Sequence, residues 1–172
     1  MQNTFGGVFM KVNLSQKERM LLEDQKSHEE ACIVKYTNYA NQATDSQLKA
    51  IFNASLQSER THLDSVNQLL SGNLPQMNQQ GNQQSSQQGN QQNTNQGTNQ
   101  NMTTGVHNLS DYDMCTDILM TEKYVSGAYD TAIFEFRDTN VRDVLNHIQK
   151  EEQKHGESVF QYMESKGMYK VQ

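Results

Sequence analysis

Two Glu-x-x-His motifs are the residues of this sequence whose types and spacing are best suited to chemistry. Glu59 precedes His62 by three positions, and Glu152 precedes His155 by the same spacing. Residues three apart in a helix lie on one face, so each pair can offer a carboxylate oxygen and an imidazole nitrogen to one metal ion. One such motif in an acidic helical chain is weak evidence, because it usually belongs to a solvated face. Two copies are a stronger indication of a metal site.

The two motifs belong to an internal repeat that covers both halves of the chain. A shift of 93 residues superposes the halves without a gap. Each motif then has a further glutamate 30 residues upstream, Glu29 for the first and Glu122 for the second. The superposed pairs are Glu29 with Glu122, Tyr36 with Tyr129, Asp45 with Asp138, Leu48 with Val141, Ile51 with Val144, Phe52 with Leu145, Glu59 with Glu152, His62 with His155, and Val66 with Val159. These pairs fall where a helical hairpin needs them, so the sequence predicts one hairpin twice.

Start and stop signals divide each half into two helices. Ser15 with Glu18 three positions on makes a capping-box pattern, and Asp45 and Asp138 are good N-caps. The single proline follows a Ser-Gly pair, as is typical after the end of a helix. The predicted helices run from near Ser15 to about Ala43, from Asp45 to near Leu70, from Ser110 or Asp111 to near Arg137, and from Asp138 to Gly167. Turns this tight make each hairpin antiparallel, and the predicted fold is an all-α four-helix bundle.

A low-complexity tract separates the hairpins. The predicted organisation is an N-terminal tail (1–13), a first hairpin (14–71), a linker (72–108), a second hairpin (109–167) and a C-terminal tail (168–172), with both hairpins in one domain. From 76 to 101, 18 of 26 residues are Gln or Asn, and no Asp, Glu, Lys or Arg occurs from 65 to 110. Such a tract has little to bury, so we predict a disordered crossover, although polar tracts can also stack in assemblies. Exchange of hairpins between two chains is the alternative.

The repeat also indicates which helix faces are buried, because a spacing of three and four residues can be followed through both copies. In the first hairpin the seams are Leu22, Gln25, Glu29, Cys32, Tyr36, Tyr39 and Ala43, followed by Leu48, Phe52, Ser55, Glu59, His62, Val66 and Leu69. In the second they are Cys115, Ile118, Glu122, Val125, Tyr129, Ala132 and Phe136, followed by Val141, Leu145, Ile148, Glu152, His155, Val159 and Tyr162. Both cysteines and both repeated tyrosines are predicted to be core residues; the alternative for the tyrosines is a role in supporting the metal ligands or in redox chemistry.

Several polar residues near the motifs fall outside this pattern. His28, Glu30 and Glu151 lie off the seams and are predicted to face solvent. His107 lies at the edge of the linker, and His147 superposes on an alanine, so neither belongs to the repeated set.

Glutamates in a core need cations or protons, since a desolvated carboxylate costs several kcal/mol. The predicted metal ligands are Glu29, Glu59, His62, Glu122, Glu152 and His155. One Glu from each of two helices and a Glu-x-x-His from each of the other two is the ligand set of ferritin-like di-iron and di-manganese bundles. We therefore predict a ferritin-like bundle with two iron or manganese ions, ahead of zinc. The alternative is a fold that no longer binds metal and keeps its carboxylates protonated or hydrogen-bonded.

The overall composition excludes several classes of partner. The net charge is −6 and the 14 basic residues are dispersed, so the basic patch that nucleic-acid binding requires is missing. No apolar run approaches the roughly 18 residues of a membrane-spanning helix. The stretch from Phe5 to Val12 is too short and glycine-interrupted for a signal peptide. We predict synthesis in the cytoplasm, with no membrane insertion and no nucleic-acid partner.

The segment that begins at Asp117, DILMTEKYVSGAYDTAIFEFRDTNVRDVLNHIQKEEQKHGESVFQYMESKGM, resembles the Coat F family of spore coat proteins from endospore-forming bacteria. The likeness is clearest in LMTEKY, RDVLNHIQKEEQKHGE and the GMY ending, while LSQKERMLLEDQKSHEEACIVKY is similar to the first half of the family. The resemblance implies a ferritin-like bundle made in the mother cell and assembled on the spore coat, with other coat proteins and copies of this chain as partners. By analogy with ferritin-like proteins, Glu59 and Glu152 would bridge two metals, and Glu29 and Glu122 would be terminal ligands.

Two functions follow from these observations. The first is a structural coat component, in which the bundle is an assembly module and the amide-rich tract mediates packing or glutamine cross-linking. The alternative is a di-iron or di-manganese oxidoreductase that reduces peroxide or oxygen, or oxidises iron. The resemblance favours the structural function, because it bears on location and assembly. No substrate pocket or catalytic residue can be identified in the sequence.

Overall fold

A computed structural model of the chain describes residues 11–75 and 109–170. It contains four helices: α1 (Gln16–Gln42), α2 (Ser46–Leu70), α3 (Asp111–Glu135) and α4 (Thr139–Ser165). All four predicted helices are confirmed. In the described ranges, extended structure is limited to one isolated bridge between Lys11 and Asn73. The predicted disorder of the linker and the position of His107 lie outside these residues, and no described helix is long and apolar enough to cross a membrane.

Local capping interactions explain why the helix bounds were predictable. The Ser15 hydroxyl accepts a hydrogen bond from the Glu18 N–H at 3.2 Å, and the Glu18 carboxylate accepts one from the Ser15 N–H at 2.6 Å. Asp45 and Asp138 begin α2 and α4 by accepting from the N–H two positions on, at 2.7 and 2.8 Å. Gly72 ends the first hairpin with φ of 79°, and a Cβ there would lie 3.2 Å from a backbone carbonyl oxygen.

The helices pack as a closed ring in which α1 contacts α2 and α3, and α4 contacts the same two helices. The Glu18 carboxylate near the start of α1 bonds to Arg137 beyond the end of α3, whereas Asp111 at the start of α3 bonds to Thr44 beyond the end of α1. Helices α1 and α3 are therefore antiparallel, which makes α2 and α3 parallel. Because α2 and α3 are parallel, the end of α2 and the start of α3 lie at opposite ends of the bundle, as the predicted two-fold arrangement requires. A helix of this length spans about 40 Å.

The predicted seams form the core with one exception. Every other seam residue is buried, including both cysteines, which are free thiols. Tyr39 is only half-buried, and Ala40 takes the buried position beside it. The reason is a polar contact at the α1–α3 edge, where the Tyr39 hydroxyl donates to Asp117 at 2.7 Å and keeps the ring near the surface.

The repeat extends to the ends of the bundle, where each half caps the other. The Glu18 carboxylate accepts the backbone N–H of Arg137 at 2.9 Å, and the Asp111 carboxylate accepts that of Thr44 at 3.0 Å. A shift of 93 residues converts one contact into the other. Arg137 adds two guanidinium bonds to Glu18, at 3.2 and 3.0 Å. Although Glu18 is only 3 % exposed, these bonds outweigh the effect of burial and lower the pKa of Glu18 to about 2.

Replacing Glu18 with glutamine should destabilise the protein, because a buried carboxylate that holds a helix cap and an arginine becomes neutral. We expect a loss of roughly 1 to 3 kcal/mol in the free energy of unfolding at pH 7. The contribution is present above the ordinary carboxyl pKa and is lost as pH falls toward the folded pKa of about 2. Urea denaturation at pH 7 and pH 3 measures both effects.

The matched control is Glu135→Gln, which removes an exposed ion pair with Lys17 at the same end of the bundle. This change should alter stability by no more than about 0.5 kcal/mol. Equal losses in the two variants would contradict a special role for Glu18.

Candidate metal centre

Every residue predicted as a metal ligand lies in one buried layer at mid-bundle. Their exposed fractions are 0 % for Glu29, Glu59 and Glu152, 1 % for His62, 3 % for Glu122 and 7 % for His155. Helices α1 and α3 each contribute one glutamate, and α2 and α4 each contribute a glutamate and a histidine one helical turn apart. Spacing along the helices and the packing of the two hairpins therefore bring all six side chains together.

The six side chains form two groups that share two members. The first group is Glu29, Glu59, His62 and Glu152, and the second is Glu59, Glu122, Glu152 and His155. Each residue offers one ligand atom, and the atoms of a group lie within 4.8 Å of one another. The shared residues, Glu59 and Glu152, are the ones that the analogy with ferritin-like proteins assigned as bridges.

Eight oxygen and nitrogen atoms of this layer are buried without a hydrogen-bond partner. They are Glu29 Oε2, both carboxylate oxygens of Glu59 and Glu152, His62 Nδ1, Glu122 Oε2 and His155 Nδ1. Among the described residues, one other buried side-chain atom, on Gln42, shares this condition. An unpaired buried polar atom costs about 1 to 3 kcal/mol, so eight in one layer need an explanation beyond chance.

The short distances among these atoms do not satisfy them. His62 Nδ1 lies 2.9 Å from Glu152 Oε1, and His155 Nδ1 lies 2.9 Å from Glu59 Oε1. Neither nitrogen has the alignment that a hydrogen bond needs. The ring nitrogens and carboxylate oxygens thus converge without hydrogen bonds: they attract one another as ion pairs when the imidazoles are protonated, and they are free to bind a shared cation when the imidazoles are neutral. The donor set, carboxylate oxygen with imidazole nitrogen, suits iron, manganese or zinc.

Two tyrosines hold the outer glutamates in place. The Tyr129 hydroxyl donates to Glu29 Oε1, and the Tyr36 hydroxyl donates to Glu122 Oε1. Each bond joins α1 to α3 and leaves the other carboxylate oxygen free to face the cluster. Both rings are fully buried, so their prediction as core residues is confirmed. Their hydroxyls additionally orient ligands in the opposite half of the repeat, which periodicity alone could not indicate.

The prediction that Glu151 faces solvent is wrong. Its side chain is 27 % exposed, and Glu151 Oε2 lies 2.9 Å from His62 Nε2 on α2. The Ser58 hydroxyl also donates to this oxygen at 3.2 Å. A carboxylate on the outer ring nitrogen leaves Nδ1 as the lone-pair donor toward the cluster. Because Ser58 superposes on Glu151 in the repeat, no repeated signal pointed to this contact.

The other two residues predicted to face solvent differ from each other. Glu30 is exposed and pairs with Lys26 on its own helix, as expected. His28 is half-buried, with Nδ1 3.3 Å from Gln25 Oε1 and its ring edge against Tyr124, so the prediction for His28 is wrong. Neither residue reaches the buried cluster.

The four glutamates fall into two electrostatic kinds. Burial raises the pKa of Glu29 to about 8 and holds that of Glu122 well above its usual range, with repulsion from Glu152 adding to both shifts. Burial acts the same way on Glu59 and Glu152, but the attraction of two nearby imidazoles outweighs it and lowers both pKa values. Without metal, burial and repulsion therefore favour the protonated form of the outer glutamates, and the imidazoles favour the ionised form of the shared ones.

The histidines also hold protons in the metal-free centre. Burial lowers the pKa of an imidazole, but neighbouring carboxylates outweigh it and raise the pKa of His155 to about 9 and that of His62 above its usual range. The carboxylates thus favour the imidazolium form of both histidines, and these cations offset the charge of the ionised carboxylates. A metal ion bound to these atoms would displace the protons, since the ligands must be deprotonated.

The fold and this layer define a class of protein: a four-helix bundle with a buried carboxylate–histidine centre capable of holding metal ions. Residues 110–172, which include the second hairpin, match the family model of the Coat F domain. The resemblance read from its residues is thereby confirmed. No curated protein and no solved structure matches the chain. The first hairpin shares the ligand positions through the internal repeat.

The metal-free protein should lose stability as pH rises from about 5 to 9. Glu29 with a pKa of about 8 and His155 with a pKa of about 9 bind protons more tightly in the folded state than in the unfolded chain. Their stabilising contribution is therefore lost as pH rises through those values. The lowered pKa values of Glu59 and Glu152 change the stability only below the ordinary carboxyl pKa, outside this pH range. Urea denaturation of chelator-treated protein at pH 5, 7 and 9 tests this trend.

Glu29→Gln is the informative variant, because the amide has no proton to release while it can still accept the tyrosine hydroxyl. Its stability should depend less steeply on pH than that of the wild-type chain. Constant or rising stability of the wild-type protein between pH 5 and pH 9 would contradict the proposed proton distribution.

Proposed function

We propose that this chain is a spore coat component whose ferritin-like bundle holds a dinuclear metal centre. The location is supported by the Coat F domain of the second hairpin. The metal centre is supported by one observation above the others: eight buried ligand atoms on six residues converge without hydrogen-bond partners. A layer held together by hydrogen bonds would leave fewer buried polar atoms unpaired, and a layer held together by apolar contacts would not need polar atoms.

The shared and unshared residues take different roles in the proposed centre. Glu59 and Glu152 would help to hold both ions, since they belong to both ligand groups and both of their oxygens are unpaired. Glu29 and Glu122 would each give one oxygen to a single ion, because the tyrosines occupy the other. We propose iron or manganese ahead of zinc, because carboxylate-rich sites with two histidines are typical of di-iron and di-manganese bundles. When bound, such ions supply Lewis acidity and electron transfer.

Purified chain prepared without chelators should contain close to two metal ions, because each ligand group can hold one. The double variant Glu59→Ala, Glu152→Ala removes the residues common to both groups and should lose both ions. Elemental analysis gives the stoichiometry, and anomalous scattering at the iron and manganese edges identifies the metal. Glu30→Ala is the matched control, since it removes an exposed carboxylate next to a ligand and should retain both ions.

One result would contradict the proposed metal centre: a metal-free wild-type chain whose heat stability is the same with and without added iron or manganese. If the metal centre binds metal, a free metal concentration 100 times the dissociation constant should stabilise the folded state by about 2.7 kcal/mol.

For the coat, we propose that the bundle is an assembly module and that the amide-rich tract at 76–101 contributes packing or glutamine cross-links. Partners would be other coat proteins and copies of this chain. In a sporulating host, a tagged chain should fractionate with the insoluble coat of purified spores. A chain lacking 76–101 should be extracted more readily by detergent, because its inter-chain contacts are lost. A tagged chain that stays in the soluble fraction, with unaltered coat ultrastructure when it is deleted, would contradict a coat function.

An oxidoreductase is the second candidate, and the two buried tyrosines bonded to ligands favour it. Tyr36 and Tyr129 are redox-capable side chains in direct contact with the outer glutamates. The balanced reaction is oxidation of iron by peroxide: two Fe²⁺, one H₂O₂ and two protons give two Fe³⁺ and two waters. Such a bundle would consume oxidant at the coat, so this activity is compatible with the structural function.

Iron-loaded protein should oxidise added Fe²⁺ with peroxide faster than buffer alone, and Glu59→Ala with Glu152→Ala should abolish the difference. Stopped-flow absorbance of ferric products measures the rate. Zinc-loaded protein is the control, since zinc cannot change oxidation state. Equal rates for protein and buffer would exclude this second function without affecting the coat assignment.

A further inference from the structure

An open groove of about 1000 Å³ lies between α3 and α4 and reaches the buried layer. Its walls include Ser126 and Gly127 from α3 and Gly156 from α4, none of which projects far from its helix. Two ligand residues, Glu122 and Glu152, also line it. The groove is therefore a path from the surface to one part of the candidate metal centre.

The repeat shows that this groove is a feature of the second hairpin's sequence. The corresponding residues of the first hairpin are aliphatic, and of these Leu56 is buried, Ile33 and Leu63 are half-buried and Val34 is exposed. The superposed pairs are Ile33 with Ser126, Val34 with Gly127, Leu56 with Gln149, and Leu63 with Gly156. A Cβ added at Gly127 would meet nothing within 4 Å, so the space beside it is open. The same fold thus carries aliphatic side chains at these positions of one hairpin and small or polar ones on the other.

The ligands beneath the groove provide a second, independent indication of a binding site. Glu122 and Glu152 are at most 3 % exposed, yet Glu122 Oε2 and both oxygens of Glu152 are unpaired. Both residues belong to the ligand group that contains His155. That histidine is 7 % exposed, compared with 1 % for His62, whose outer nitrogen is covered by Glu151. His155 itself does not line the groove, so the groove reaches this group through Glu122 and through Glu152, which both groups share.

Charged residues at the rim indicate the class of ligand. Three lysines, at positions 123, 150 and 154, line the groove together with Asp130 and Glu157. The rim is net positive above a floor of carboxylates. A cationic rim draws in small anions and polar neutral molecules, and cations bound to the carboxylates would reverse the charge of the floor. At the end of the groove, Phe160 and Tyr169 pack edge to face with ring centres 5.1 Å apart.

We infer that this groove admits small peroxide-like molecules and monoanions of two or three non-hydrogen atoms to the ion held by Glu122 and His155. The ion held by Glu29 and His62 has no such access, because Leu56 is buried at the matching place of the first hairpin and Glu151 covers His62. The inference rests on the proposed metal centre and adds to it: the two ions are chemically unequal, one being exchangeable toward exogenous ligands and the other structural.

The test fills the groove with the residues that the first hairpin already uses. Gly127→Val and Gly156→Leu reproduce the first hairpin at the two glycine positions. Gly127 faces open space, and a Cβ at Gly156 would lie in ordinary contact, 3.8 Å from the Glu122 Cβ. Both positions are inside helices, where replacing glycine favours the helix. The double variant should therefore fold and keep its ligands.

The probe is azide added to protein loaded with Co²⁺, whose visible absorption responds to an added ligand. Wild-type protein should bind two Co²⁺ per chain but only one azide. The double variant should bind Co²⁺ as tightly and melt at the same temperature or higher, while its azide affinity falls by about tenfold or more. Val34→Leu adds bulk at the matched position of α1, and its azide affinity should equal that of wild type.

Unchanged azide affinity in the double variant, with two Co²⁺ still bound, would overturn the groove's role and leave the metal centre intact. An equal loss of azide affinity in Val34→Leu would overturn it as well, as would two azides bound per wild-type chain. A wild-type chain that takes up no Co²⁺ would refute the metal centre itself, and the groove's role with it.

Discussion

Four carboxylates share one buried layer of this bundle, and each must either meet a cation or carry a proton. In the metal-free protein burial favours the protonated form of the outer pair, Glu29 and Glu122, while two nearby imidazoles favour the ionised form of the shared pair, Glu59 and Glu152. Many other features of the fold serve this layer. Each helix presents its ligand at mid-length, and tyrosines cross from one half to the other to hold the outer glutamates. The acids that make the centre suitable for metal also make its empty state sensitive to pH.

The ligand set could be predicted because the sequence records it in three independent ways: by residue type, by helical spacing and by repetition at 93 residues. The helix bounds were predictable for a similar reason, since capping residues such as Ser15 and Asp45 act within a few positions of themselves. Such signals lie along one helix or are copied in the other half. Tertiary arrangement need not be known to read them.

Contacts across helices were not predictable in the same way. Glu151 lies off its own seam, and only the packing of α4 against α2 brings it to His62. Tyr36 was correctly assigned to the core, but its partner Glu122 depends on the antiparallel alignment of α1 with α3. Glu18 was expected to cap its own helix, and it also caps the turn after α3. Periodicity shows which face of a helix is buried, whereas these contacts depend on what the neighbouring helix places opposite.

The near-symmetry of the bundle has an evolutionary consequence. In a dimer of two identical hairpins the cross-capping contact and the tyrosine–glutamate bond would each occur twice, so a symmetric homodimer of half-length chains is a sufficient ancestor for this centre. In such a dimer any mutation appears on both sides at once, and a groove could not open on one hairpin alone. Joining the copies in one chain removes this constraint. After fusion, Gly127 and Gly156 could diverge from Val34 and Leu63, and one hairpin could specialise in exchange with solvent while its twin preserved the core.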